Sequence, residues 1–108
     1  MKRTKNMIYK ESIESRELTL YAENDSRVYF NAIVPTVKNL AKKYNKGVFD
    51  KEKAVDAFYY VADYAAKMYC KEFARMKDYV QTFSVTDRFT AAVDLLGGCM
   101  ENIENNDL

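Results

Sequence analysis

Four stretches of the chain carry apolar residues at helical spacing, and none keeps up the alternation of a half-buried strand for long. The first covers residues 12–23, where Leu18, Tyr21 and Ala22 share a face. Leu18 and Leu20 also alternate with Glu17, Thr19 and Tyr21, so a short strand competes with the helix there. The second covers residues 27–44. Phe30, Ile33, Val34, Val37, Leu40, Ala41 and Tyr44 fall in one stripe at 3.6 residues per turn, opposite Asn31, Lys38, Asn39, Lys42 and Lys43. Pro35 interrupts it on the solvent side. Proline lacks the amide proton and crowds the preceding turn, which predicts one helix kinked at Pro35 rather than two helices. The third stretch, 51–73, is the strongest. Its apolar face is Ala54, Val55, Phe58, Val61, Ala62, Ala65, Tyr69 and Phe73; its polar face is Asp56, Tyr60, Asp63, Tyr64, Lys67 and Lys71. The fourth follows Ser84, with Phe89, Ala92, Val93 and Leu96 at one-face spacing.

The punctuation agrees with these four. Asn24-Asp25-Ser26 is a break whose Asp25 or Ser26 can cap the next helix. Gly47 suits a left-handed cap, and Asp50 caps the third stretch. Ser84-Val85-Thr86-Asp87 is a capping-box variant. Gly97-Gly98 is expected to break or end the last helix. The pattern therefore predicts an all-α bundle of about four helices, with the Asp50-capped helix at its centre. A flexible basic head at 1–11 and an acidic tail at 99–108 are expected to flank a domain at 12–98, with an irregular connection at 75–82.

Composition narrows this picture little. The 108 residues make one domain, and 48% hydrophobic with 31% charged residues is ordinary for a folded one. Three Gly and one Pro leave few turns, which favours long helices over a many-stranded sheet. Net charge is +1, yet its distribution is uneven. Lys2, Arg3, Lys5 and Lys10 make the start basic, residues 11–25 are acidic, and Lys38, Lys42, Lys43, Lys46, Lys51 and Lys53 form a basic middle. Asp94, Glu101, Glu104 and Asp107 make the end acidic. No apolar run reaches transmembrane length, and the start lacks a secretory core, so a cytoplasmic chain with reduced Cys70 and Cys99 is expected.

The chemistry on offer is limited. Histidine is absent, which removes the commonest general base and metal ligand and rules out a Ser-His or Cys-His nucleophile within this chain. No glycine-rich phosphate loop is present, and the two cysteines share no metal or redox spacing. Asp56 and Asp63, two turns apart on one helix face, read as solvated acids. No enzyme activity, cofactor or metal is expected. Two surfaces remain. Tyr60 and Tyr64, flanked by Lys67 and Lys71, offer aromatic anchors with a charged rim and suit a protein partner or a homodimer. Lys38, Lys42, Lys43 and Lys46, with Lys51 and Lys53 nearby, could hold phosphates and make nucleic-acid binding the second reading. There is no Arg among them to read bases.

Several pieces carry a likeness. They are Pro35-Thr36-Val37-Lys38-Asn39-Leu40, then the run from Lys46 to Ala54, Tyr60-Val61-Ala62-Asp63, the run from Ala66 to Phe73, and Phe83-Ser84-Val85-Thr86-Asp87-Arg88. Across roughly residues 18–96 the chain resembles a family of small uncharacterised proteins of bacteria, bacteriophages and other mobile elements. It departs from them at Ala74-Arg75-Met76-Lys77, where a glycine-containing stretch is expected. That family has no assigned activity, so the resemblance transfers no functional residue. It implies a bacterial or phage cytoplasm and an accessory role, such as modulating a host or defence protein.

Overall fold

The computed structural model describes residues 7–74 and 82–106. Four of the helices begin where a side chain takes up free amide protons. Ser12 caps α1 (Ile13–Asn24) in a reciprocal pair: the Ser15 amide donates to Ser12 Oγ at 3.0 Å, and the Ser12 amide to Ser15 Oγ at 2.9 Å. The strand alternative at Leu18 and Leu20 gives way to this helix, which buries Leu18 and exposes Leu20. Asp25 caps α2 (Ser26–Val28) through the amides of Arg27 and Val28 at 2.9 and 3.2 Å.

A π-helical turn, Tyr29–Ile33, joins α2 to α3 (Val34–Asn45), so the three segments form one continuous rod. The interruption expected from Pro35 takes this form. The Val34 amide reaches back five residues to the Tyr29 carbonyl, and Pro35 starts the next α-turn, where its missing proton costs little. The extra residue in that turn rotates the rod's faces. Phe30, expected in the apolar stripe, is 65% exposed, while Val28 and Ile33 are buried. The rod ends at Gly47, whose φ of +72° lets the Val48 amide return to the Lys43 carbonyl at 2.9 Å.

Asp50 caps α4 (Lys51–Phe73) through the Glu52 and Lys53 amides at 2.9 and 3.3 Å. Ser84 and Asp87 form a second reciprocal capping pair, at 2.9 and 3.0 Å, ahead of α5 (Val85–Asn105). The glycine pair does not break α5. The helix runs through Gly97 and Gly98 to a left-handed Asn106, and Ile103 is fully buried. Apolar Ile103 and Met100 continue the buried side past the glycines, so packing outweighs their weak propensity. The acidic tail expected at 99–108 is therefore helix as far as Asn105.

The start of the chain departs from expectation in the same way. Residues 7–12 lie along α5 as a strap. The Tyr9 hydroxyl donates to Asp94 at 2.9 Å, the Lys10 amide to Thr90 Oγ1 at 2.9 Å, and the Ser12 hydroxyl to Asp87 at 3.1 Å. Thr90 returns its own proton to the Lys10 carbonyl at 3.1 Å. The flexible head drawn at 1–11 thus keeps only residues 1–6 outside the described chain, and 75–81 of the expected connection lie outside it too.

The core gathers Leu18, Val28, Val37, Phe58, Tyr59, Leu95 and Ile103. As expected, α4 is central: it packs against every other element, most extensively against α5, which in turn packs against α1 and α3, while α1 and α3 do not touch. Among the described residues there is no strand, and no helix is long and apolar enough to cross a membrane.

Truncating Phe58, which is fully buried, to Ala should cost about 3–5 kcal/mol in urea unfolding. Gly97 is exposed and a Cβ there would meet nothing within 4 Å, so Gly97→Ala should raise stability by about 0.5–1 kcal/mol. An unchanged midpoint would show that the glycine serves something other than the helix.

Candidate binding face on α3 and α4

Of the four residues expected to form an aromatic patch, Tyr60 is the exposed ring, at 50% exposure. Tyr64 leans onto the core, and its hydroxyl accepts from Asn31 Nδ2 at 3.4 Å. Lys67 is tied to Asp63 at 3.2 Å, one turn back, and the other oxygen of that carboxylate lies 3.6 Å from Arg88 Nε. Lys71 sits at the far end of α4, beside a shallow pocket with Arg27, Met68, Glu72 and Ala74. The patch as expected is therefore divided, with Asn31 of the π turn against Tyr64.

The lysines fare differently. Lys38, Lys42, Lys43, Lys46, Lys51 and Lys53 are all exposed, and no ion pair among the described residues involves them. Residues 26–49 contain no Asp or Glu at all. Lys42 and Lys43 lie in the last turn of α3, where cations are favoured by the helix dipole, but Lys38 lies outside it. At the bottom of the rod, Lys43 and Lys53 approach each other across a hollow of about 210 Å³ that Leu40, Val48 and Asp50 complete.

These two ties give the register. Asn31 meets Tyr64 at one end, and Lys43 meets Lys53 at the other, so α3 runs antiparallel to α4. Tyr60 lies between the ties on α4, and Lys38 between them on α3. The two surfaces read separately from the sequence are parts of one face. Two members were missed. Phe30 stands out beside Asn31, its ring edge-on to Tyr29 at 5.0 Å, and Val48 is 62% exposed at the lysine end. The lack of acids over 26–49 was a legible signal for this face. The exposure of Phe30 was not, because it depends on the π turn.

The upper end of the face is anchored by a charged cluster. Arg27 donates to Asp25 at 2.7 Å, lies 3.4 Å from Glu72, and donates to the Tyr21 hydroxyl at 3.1 Å. Tyr21 in turn donates to Glu72 at 2.9 Å. The Arg27 guanidinium and then the Val28 and Arg27 amides hold the Asp25 carboxyl down to about 2. Burial, and then the nearby Glu23, push the Cys99 thiol up.

No family model matches the chain, and no curated protein or solved structure matches it either.

The depressed pKa of Asp25 fixes a pH dependence. Its carboxylate contributes stability above the unfolded value near 3.8, and the contribution is lost as pH falls toward about 2. Asp25→Asn should flatten the acid limb of the stability curve in that window, followed by circular dichroism. An unchanged acid limb would show that the cap and the Arg27 pair do not hold the junction.

Proposed function

We propose that the chain is a binding module with no catalytic activity of its own, which grips an acidic protein surface through the α3–α4 face. The observation that carries this is the acid-free rod, which exposes lysines from Lys38 to Lys46, with Phe30 exposed toward one end and Val48 just past the other. Apolar residues that stay in water at a folded domain's surface gain most when a partner covers them. Lysines along the same rod speed encounter with an acidic partner and repel basic ones. Tyr60 adds a ring that can be buried at low entropy cost.

A nucleic acid is the second reading, favoured by the same lysines. Against it stand the absence of arginine from the cluster and the acidic residues 11–25, which limit the length of backbone the chain can follow. The family resemblance adds, by association alone, the setting of an accessory protein of a phage or other mobile element acting on a host or defence protein in the cytoplasm.

The triple variant Lys38→Glu, Lys42→Glu, Lys43→Glu and the single variant Phe30→Ala change only exposed residues and should keep the wild-type circular dichroism spectrum. Quantitative affinity capture from bacterial lysate should show at least one protein depleted about tenfold or more by each, equivalent to about 1.4 kcal/mol. Equal recovery by wild type and both variants rejects this face. A gel shift at about 50 mM salt that the triple variant abolishes, with no depleted protein, makes nucleic acid the partner instead.

A further inference from the structure

The flank formed by α1 has complementary properties. Residues 11–25 carry Glu11, Glu14, Glu17, Glu23 and Asp25 against Arg16 alone. The strap adds Asp87 and Asp94 of α5 beside the start of α1, through the Ser12 and Tyr9 bonds. On this acidic flank two large apolar side chains are left in water. Ile13 is 80% and Leu20 52% exposed, two turns apart, and both line a shallow groove of about 470 Å³ with Glu11, Arg16 and Glu17. The charges there are held in place: Arg16 is paired with Glu11, and Glu17 accepts a short hydrogen bond from the Tyr69 hydroxyl.

We propose that the acidic partner of the α3–α4 face is this α1 flank on a second copy of the chain, so that copies join head to tail. The proposal rests on the reading of the α3–α4 face given above. Within one copy the lysine-bearing α3 does not touch α1, whose only contacts with the rod are through the short α2 and the π turn. Between copies, pairing each flank with its own kind sets lysines against lysines or carboxylates against carboxylates, which electrostatics opposes. The unlike pairing matches lysines with carboxylates and covers exposed apolar side chains on both flanks. A contact between two different faces does not close after two copies, so it builds rings or chains according to the rotation between copies.

Sedimentation velocity on three proteins decides it: wild type, Lys38→Glu with Lys42→Glu, and Ile13→Lys with Leu20→Lys. Wild type should gain weight-average mass with concentration at about 50 mM salt and return to monomer at about 0.5 M, where screening shortens the reach of surface charge to a few Å. Each double variant, checked for wild-type circular dichroism, should be monomeric alone. Mixed in equal amounts they should form a one-to-one dimer, since each keeps one intact face. Wild type that stays monomeric at about 0.5 mM overturns the assembly, as does a self-associating variant or a mixture that stays monomeric. Overturned in this way, the assembly leaves the α3–α4 reading to the capture experiment, which detects foreign partners and does not depend on self-association.

Discussion

The seam between α4 and α5 is the constraint on which the rest of the bundle depends. It is the most extensive contact between any two elements, and α1 and α3 each pack against both of these helices but not against each other. The interior face of α5 alternates small and large residues, with Ala91 and Ala92 beside Leu95 and Leu96, and α4 carries Ala62 and Ala65 beside Phe58 and Tyr59. Small residues facing each other let two helix axes approach closely, and the large ones fill the space on either side. This explains why α5 runs on through two glycines. The residues beyond them, Met100 and Ile103, belong to the same buried side, and their burial exceeds the weak helix preference of glycine.

Burying polar groups in so small a core demands full pairing. Ser15 and Thr90 are fully buried, and both spend their hydroxyls on backbone. Ser15 closes the cap of α1, whereas Thr90 serves both the amide and the carbonyl of Lys10. No buried side-chain nitrogen or oxygen among the described residues is left without a partner. The strap is thus a paired element of the fold, and its bonds to Thr90 and Asp94 set the position of the acidic flank. Tyr9 shows the strength of that local field: its bond to Asp94 pushes the phenol up to about 12.

Charge and packing together divide the molecule. Because α1 and α3 pack against α5 without touching each other, the acid-rich 11–25 and most of the acid-free 26–49 become distinct flanks, although they are adjacent in sequence. The break at Asp25 performs this separation, turning the chain from one flank to the other while capping α2 and pairing with Arg27. A net charge of +1 conceals two surfaces of opposite sign.

The helices, their starts and most of their buried faces were legible in the sequence. Spacing of apolar residues is a local property, and so are the caps at Ser12, Asp25, Asp50 and Ser84; each requires only residues within one turn. The lysine surface was legible too, since charged side chains on a helix stay in water wherever the helix packs. What the tertiary structure alone decided was everything that needed a distant partner. The helix could pass Gly97-Gly98 because Ile103 had a core to enter. Lys10 could be ordered because Thr90 lay under it, and Tyr64 leans inward against Asn31 of the π turn. Phe30 was turned outward by one extra residue in a turn shaped by Pro35, a shift that periodicity cannot register. Local pattern fixes which face of each helix is apolar, whereas only the packed arrangement settles which faces meet and which remain for a partner.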